Sequence, residues 1–211
     1  MELRWYFDFV SPYAYLHWQK LKVLPQASDI VPVPVVLGAV LSHLGNRGPA
    51  EIPSKRVFTY RHVLWQAARQ GVPLRFPPMH PFNSLAALRL LMATGNRPQA
   101  IDAIFDWLWR DGHSGDSAEA LAPLGERLGI ADVGAAINDA ATKAGLRAYS
   151  DAAIAAGVFG VPTLSIDGEL FWGNEAHDLA LEVLDDPSLL QRGEMARAIS
   201  LPALMRKDPG G

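Results

Sequence analysis

The order in which strand and helix patterns follow one another constrains this fold more than any other feature of the chain. Residues 3–9, LRWYFDF, form a short aromatic-rich run typical of a buried strand, and a helical pattern covers 13–24. A second strand pattern at 30–37, IVPVPVVL, contains Pro32 and Pro34. Because proline cannot donate a ladder hydrogen bond, we expect this strand at an edge of the sheet. The chain is therefore predicted to open as strand, helix and strand, with the two strands parallel.

Between residues 38 and 148 the sequence shows helical patterns and no convincing strand. The expected helices cover 57–70, 83–93, 98–109, 117–129 and 133–144. After this block, Ser150 can start a helix that ends at Gly157, and Asn174 starts a last helix that runs to about Leu184. Between them, the segments TLSI and ELFW flank the turn Asp167-Gly168, which is typical of a β-hairpin.

This order of elements predicts an α/β chain with a thioredoxin-like fold and a large all-α insertion. We expect residues 1–37 and 149–190 to form a discontinuous thioredoxin-like domain, and residues 38–148 to form the helical insertion domain. The C-terminal segment 191–211 follows, and its tail, Asp208-Pro209-Gly210-Gly211, is expected to be disordered.

The composition excludes several kinds of chemistry. The 211 residues include no cysteine, which excludes disulfides, zinc–thiolate sites, iron–sulfur clusters and thiol chemistry by the protein's own side chains. Thiol chemistry on a bound small molecule stays open. The net charge of −3 and the absence of a dense basic run argue against a nucleic acid or a membrane as partner, and no metal-ligand pattern is present. Because the N-terminus lacks a signal-peptide pattern, we expect a cytoplasmic protein.

Three segments are expected to meet in this fold: Ser11-Pro12-Tyr13 at the start of the first helix, Val161-Pro162 before the hairpin, and Asn174-Glu175 after it. Pro162 occupies the position where thioredoxin folds keep a cis-proline. A cis bond there would turn the amide and carbonyl of Val161 outward, towards an extended peptide ligand. The alternative is an ordinary trans proline at the start of a strand.

Ser11 has two interpretations. Its hydroxyl can cap the first helix, which is worth about 1 kcal/mol. Alternatively, it can lie beside the sulfur of a bound thiol, where redox proteins of this fold carry a cysteine. Lowering a thiol pKa by two units needs ~2.7 kcal/mol. A helix start supplies ~0.3–1 kcal/mol and a hydrogen bond to a charged acceptor ~1.5–3 kcal/mol, so the two together suffice.

Several motifs carry a specific resemblance that covers nearly the whole chain. They are Phe7-Asp8-Phe9-Val10-Ser11-Pro12-Tyr13, Leu44-Gly45-Asn46, Phe159-Gly160-Val161-Pro162-Thr163 and Phe171-Trp172-Gly173-Asn174-Glu175. In this order and spacing, the set resembles the 2-hydroxychromene-2-carboxylate isomerases and the kappa-class glutathione transferases. These families have a thioredoxin-like fold with a DsbA-like helical insertion, and their members tend to form homodimers.

The resemblance implies a glutathione cofactor and a small hydrophobic or aromatic substrate, as in the catabolism of aromatic compounds. It implies reversible addition of the glutathione thiolate to the substrate in an isomerase. A kappa-class-like transferase or peroxidase is the enzymatic alternative, and a non-catalytic thiol- or peptide-binding module is the alternative of another class. By resemblance, Ser11 would bind the glutathione sulfur. The other implied contacts are Pro12, Tyr13, Asn46, Val161, Pro162, Asn174 and Glu175.

The sequence departs from the family on the side expected to hold the substrate. Leu41-Ser42-His43-Leu44 stands where the isomerases commonly have a lysine, and His62 and Trp65 replace an aspartate and an arginine that are frequent on the next helix. His43, His62 and Trp65 are therefore alternative substrate contacts. Structural or surface roles for the two histidines are the competing interpretation.

Overall fold

The sheet has the four strands that the sequence predicts, in a computed structural model that describes residues 1–202. The strands are β1 (Leu3–Phe7), β2 (Ile30–Pro34), β3 (Thr163–Ile166) and β4 (Glu169–Trp172). Their order is β2-β1-β3-β4; β1 is parallel to β2 and antiparallel to β3, and β3 is antiparallel to β4. The strand with the two prolines thus lies at an edge, as predicted.

The aromatic side chains of β1 form the centre of the core. Trp5 and Phe7 are fully buried, and their rings stack at a centroid distance of 4.3 Å. Phe105, from the helical segment between β2 and β3, packs 5.9 Å from Phe7 and 4.7 Å from Phe9. Helices from the middle of the chain therefore share one core with the sheet.

The helices account for most of the chain. They are α1 (Pro12–Leu21), α2 (Leu37–His43), α3 (Pro53–Gln70), α4 (Leu85–Ala93), α5 (Pro98–Phe105), α6 (Ala118–Arg127), α7 (Val133–Asn138), α8 (Ala140–Ala155), α9 (His177–Asp185) and α10 (Gly193–Ala198). A π-helical segment, Asp106–Arg110, continues α5, and short 3-10 turns cover Ala27–Asp29, Pro49–Glu51, Asn174–Ala176 and Leu189–Gln191. Residues 1–177 form one compact unit, and the described residues from 178 onward belong to a second.

The helices before β3 differ from the prediction. The sequence predicts one helix over 133–144 and another that Ser150 starts, whereas the structure breaks the first at Asp139 and continues the second from Ala140. The Asp139 carboxylate accepts the amide of Thr142 at 2.8 Å, and this cap starts α8 eleven residues earlier than expected. Ser150 instead lies inside α8, where its hydroxyl donates to the carbonyl of Leu146 and accepts the amide of Val36.

The architecture is the predicted thioredoxin-like fold with a long helical insertion between β2 and β3. Within residues 1–202, no helix is both long and apolar enough to cross a membrane. The tail Asp208-Pro209-Gly210-Gly211, for which the sequence predicts disorder, lies outside the described residues.

Candidate functional site

A cavity of about 680 Å³ opens between the thioredoxin-like elements and the first part of the insertion. On one side it is lined by the start of α1, the loop before β3 and the turn after β4; on the other side it is lined by α2 and the chain that follows it. Its apolar lining includes Val10, Pro12, Leu37, Leu41, Phe82, Phe159 and Trp172. An apolar cleft with a few converging polar groups is the usual form of a small-molecule site.

Ser11 is both a helix cap and a cavity residue. Its Oγ accepts the amide of Ala14 at 3.2 Å, which confirms the predicted cap of α1. The side chain is buried and lines the cavity. Since Oγ only accepts in that bond, the hydroxyl proton is left to donate to another group. Capping and binding of a ligand sulfur are therefore compatible roles for the same atom.

The Val161–Pro162 bond is cis, as predicted, and both residues line the cavity. The side chain of Val161 packs into a core cluster that includes Tyr6 and Val33. Within the described chain, its backbone amide and carbonyl have no hydrogen-bond partner. A peptide-like ligand can pair with these two groups as it would with a strand edge.

The loop before Val161 leaves no room for a side chain at Gly160. A Cβ there would come within 2.5 Å of Nε1 of Trp172, which also lines the cavity. The indole of Trp172 meets the ring of Phe159 edge-on at 5.4 Å. Glycine at this position therefore lets the two aromatic side chains close one end of the cavity.

Glu175 and Asn174 are neighbours with different surroundings. Glu175 lines the cavity, and its Oε1 accepts a hydrogen bond from Nε2 of Gln66 on α3 at 2.5 Å. Asn174 is buried outside the cavity lining, and its Nδ2 donates to Oε1 of Gln66 at 2.8 Å. Of the predicted pair, Glu175 lines the cavity and Asn174 does not, and the contact of either residue with a ligand stays a prediction. Asn174 instead supports Gln66, which no sequence pattern singled out because the contact spans 108 residues.

The other predicted contacts divide into two groups. Tyr13 and Asn46 line the cavity, whereas His43 is exposed and lies outside it. His62 is not a lining residue either, but its Nδ1 lies 3.0 Å from the hydroxyl of Tyr13. Trp65 is 56% exposed and stacks on the outer side of His62. Burial, together with the negative charge of Glu175, raises the pKa of Tyr13 to about 12, so its hydroxyl stays protonated at neutral pH.

Asp8 is a cavity residue that the sequence argument did not select. Its side chain is 1% exposed, and its carboxylate oxygens accept the amides of Val10 at 3.1 Å and of Leu37 at 2.9 Å. Burial raises the pKa of this carboxyl, although hydrogen bonds from Ser84 and the two amides oppose the rise. Asp8 thus fixes the turn before Ser11 and the start of α2. An acidic residue inside the aromatic-rich run 3–9 was the available signal.

Arg47 and His80 are two further polar residues of the lining. Arg47 follows Asn46 directly, is exposed, and has no ion pair within the described part of the chain. His80 lies 2.9 Å, through Nε2, from the carbonyl of Val10, and burial lowers its pKa. Arg47 is consequently a cation free to meet an anionic group in a mostly apolar site.

Several known proteins resemble this chain in sequence and in fold. The family model of the DSBA-like thioredoxin domain matches residues 2–185. A 2-hydroxychromene-2-carboxylate isomerase of Pseudomonas putida is 32% identical over 185 residues, which is 83% of this chain and 90% of the relative. The glutathione S-transferase kappa 1 of Caenorhabditis elegans is 35% identical over 77 residues, covering 35% of this chain and 34% of the relative.

A solved structure of a 2-hydroxychromene-2-carboxylate isomerase superposes with a TM-score of 0.75 at 24% identity. The superposition covers 95% of this chain and 100% of that one. The likeness supports the fold described above, including the helical insertion between β2 and β3.

Proposed function

Because this chain belongs to the family of DSBA-like thioredoxin domains, and to that of the 2-hydroxychromene-2-carboxylate isomerases, we propose that it is a glutathione-dependent isomerase of an aromatic carboxylate. The protein is an enzyme by this kinship. The observation that carries the proposal is the cavity itself, which brings Ser11, the unpaired backbone of Val161 and the carboxylate of Glu175 to one apolar cleft.

The polar groups of the cavity fit glutathione. The free amide and carbonyl of Val161 suit the backbone of a cysteinyl unit, and Glu175 suits the ammonium of the γ-glutamyl end. The hydroxyl of Ser11 can donate to the sulfur, and Asn46 can contact the peptide. Asn174 would act indirectly: it donates a hydrogen bond to Gln66, and Gln66 donates one to Glu175.

When bound, glutathione supplies a thiolate that adds reversibly to an electrophilic carbon of the substrate. Ser11 and the start of α1 together stabilise negative charge at the sulfur. Leu37, Leu41 and Phe82 exclude water from the apolar part of the cavity. Arg47 lies at this part of the lining and can pair with the carboxylate of the substrate, in place of the family lysine that the chain lacks.

A second candidate function is conjugation by a kappa-class-like transferase, which the relative from Caenorhabditis elegans favours. The two functions differ in the fate of glutathione. An isomerase regenerates it, so a small fraction of an equivalent supports full conversion, whereas a transferase consumes one equivalent per turnover.

An ultraviolet assay with a chromene carboxylate or a benzylidenepyruvate, with and without glutathione, separates these functions. We expect conversion of the substrate to require glutathione, and the amount of product to exceed the amount of glutathione added. Calorimetric titration with glutathione alone tests the binding site, and absence of binding at millimolar glutathione would refute both enzymatic functions. Saturable binding without turnover of any conjugated carbonyl compound would instead indicate a thiol-binding module.

A further inference from the structure

We propose that the hydroxyl of Tyr13 donates a hydrogen bond to the carbonyl oxygen of the substrate, and that His62 is the positioning residue that keeps this donor free. The proposal rests on the proposed function in taking a conjugated carbonyl compound as the substrate. It gives His62 a role that needs no contact with the cavity, whose lining does not include this residue.

Glu175 and Asn174 determine the orientation of the side-chain amide of Gln66. A carboxylate only accepts hydrogen bonds, so the group of Gln66 that lies 2.5 Å from Oε1 of Glu175 must be its nitrogen. The oxygen of Gln66 then faces Nδ2 of Asn174 at 2.8 Å, which is a donor. Both neighbours therefore require the same orientation of this side chain.

The orientation of Gln66 in turn determines the tautomer of His62. The nitrogen of Gln66 carries two protons; one points to Glu175, and the other faces Nε2 of His62 at 3.4 Å. Nε2 must therefore be the acceptor of the imidazole, and in the neutral ring the proton lies on Nδ1. Nδ1 is 3.0 Å from the hydroxyl oxygen of Tyr13, so His62 donates to that oxygen.

This tautomer of His62 determines where the hydroxyl proton of Tyr13 points. Since the hydroxyl oxygen accepts from His62, its own proton points elsewhere, and its acceptor among residues 1–202 is the carbonyl of Thr59 at 3.5 Å. This distance is long for an O–H···O bond, whose usual range is about 2.5–3.0 Å. Tyr13 and Thr59 both line the cavity. A substrate oxygen placed there at ordinary hydrogen-bond distance is a better acceptor for this proton.

The stack of rings along α3 holds His62 in this orientation. The imidazole is nearly parallel to Phe58 at 5.4 Å and to Trp65 at 5.9 Å, with interplanar angles of 14° and 16°. Phe58 and Trp65 are both exposed on their outer faces. The stacking gives these two residues a function on the surface of the helix, because it limits rotation of the ring that faces Tyr13.

The chemistry of a conjugated ketone explains why a donor at this place assists the reaction. Addition of a nucleophile to the distant carbon of the double bond moves an electron pair onto the carbonyl oxygen. A hydrogen bond to that oxygen stabilises the charge, and the pair returns when the nucleophile leaves. The proton stays on Tyr13 throughout, which agrees with the raised pKa of its hydroxyl.

The tautomer of His62 tests the network without any ligand. Long-range proton–nitrogen correlation spectra of histidine-labelled protein are expected to show His62 protonated at Nδ1. In Gln66→Leu, which removes the group that fixes Nε2 as an acceptor, we expect a mixture of both tautomers. A ring protonated at Nε2 in the unmodified protein would overturn the assignment.

Binding of benzylidenepyruvate without glutathione tests the donor. A hydrogen bond to its carbonyl is expected to shift the ultraviolet band of the bound compound to longer wavelength, and Tyr13→Phe should lose this shift and about fivefold in affinity. Two variants of His62 distinguish the contribution of its Nδ1 from that of its Nε2. His62→Asn places an amide N–H where Nδ1 lies and is expected to keep the shift, whereas His62→Gln mimics only Nε2 and is expected to lose it.

An equal shift in the unmodified protein and in Tyr13→Phe would refute the role of the hydroxyl, and so would failure of the compound to bind at millimolar concentration. Equal loss in both His62 variants would mean that the histidine only supports the fold. These outcomes do not depend on glutathione, so they are distinguishable from failure of the proposed function, which the glutathione titration reports.

Discussion

The cavity has two walls that are built in different ways. The thioredoxin-side wall consists of Ser11–Tyr13, Val161–Pro162 and Glu175, which lie at the ends of regular elements. Side-chain hydrogen bonds hold Ser11 and Glu175, and the side chain of Val161 packs in the core. The insertion-side wall consists of α2 and residues 46–51, where Asn46, Arg47 and Glu51 are exposed on irregular chain and a short 3-10 turn. The fold itself fixes the first wall, whereas the second can change with the substrate at little cost to the fold.

The supports of the thioredoxin-side wall explain its rigidity. Asp8 accepts the amide of Val10 next to Ser11, and it also holds the start of α2 through the amide of Leu37. His80 contacts the carbonyl of Val10 through Nε2. No comparable buried network holds Arg47 within the described residues. We therefore expect substitutions in the first wall to abolish activity and substitutions in the second to alter substrate preference.

The largest expected effect belongs to Ser11→Ala. Loss of the donor to the sulfur should lower kcat about 100-fold, as loss of one preorganised donor typically does. It should also raise the pKa of the bound glutathione sulfur by about one to two units, since a hydrogen bond to a charged acceptor is worth ~1.5–3 kcal/mol. The absorbance of the thiolate, titrated against pH in the complex, measures this shift.

Ser117→Ala is the matched control for that variant, because Ser117 caps α6 through a bond of the same length, 3.2 Å, to the amide of Ala120 and does not line the cavity. Both variants should lose about 1 kcal/mol of stability in urea unfolding. If Ser11→Ala lost only this stability and kept the sulfur pKa, Ser11 would be a cap and nothing more.

Glu175→Gln is expected to weaken glutathione binding about 20-fold, because the variant keeps the bond to Gln66 but removes the charge that pairs with the ammonium. Calorimetric titration measures the dissociation constant. Glu51→Gln removes a charge from the insertion-side wall of the same cavity and should change that constant less than twofold. Equal losses in the two variants would show that the overall negative potential matters and that glutathione is not held by one wall.

The sequence predicts the fold well where the local pattern decides the structure. Asp167 and Gly168 have φ of 48° and 93°, as a two-residue hairpin turn requires, and β3 and β4 have the bounds of the predicted segments TLSI and ELFW. Pro32 and Pro34 likewise place β2 at the edge. The start of α8 was wrong because Asp139 and Ser150 are both good caps, and only the packed structure selects between them.

The residues of the candidate site likewise divide into those that the sequence predicts and those that it does not. Ser11, Val161 and Glu175 follow from the resemblance, because the fold dictates where helix starts and hairpin turns meet. For two other predicted contacts the structure shows different surroundings: α2 leaves His43 exposed outside the cavity lining, and Asn174 donates to Gln66, far away in sequence. Their contacts with a ligand stay predictions. Arg47 was missed since its importance depends on the path of irregular chain, which carries no periodic pattern.

The acid sensitivity of the protein is expected to originate in the thioredoxin-side scaffold. His17 on α1 is 1% exposed, and burial lowers its pKa from 6.5 to about 3, with a further contribution from His177. Below pH 6.5 the unfolded chain therefore binds a proton that the folded ring does not, and stability falls by ~1.4 kcal/mol per pH unit until about pH 3. Urea unfolding between pH 7 and pH 4 measures this slope.

His17→Asn tests the origin of that slope, since its Oδ1 can accept the bond that Nε1 of Trp5 donates to Nδ1 of His17 at 3.2 Å. The variant should lose stability at pH 7. Its free energy of unfolding should fall less steeply with pH, by about the 1.4 kcal/mol per pH unit that one proton contributes. His43→Asn, on the exposed end of α2, should leave the slope unchanged. An unaltered slope in His17→Asn would assign the acid sensitivity to other buried groups, such as His80.

The smallest expected effect belongs to Arg47→Gln, because an exposed ion pair is worth only ~0.2–1 kcal/mol. We expect KM for a carboxylate substrate to rise about two- to fivefold with kcat unchanged, since the pair forms equally before and during the reaction. For the methyl ester of the same substrate, the variant and the unmodified protein should be equal. His43→Gln should change neither constant, because His43 does not line the cavity. A fall in kcat for both substrates would place Arg47 with the groups that act on the reacting atoms, and the two walls would then differ in structure but not in function.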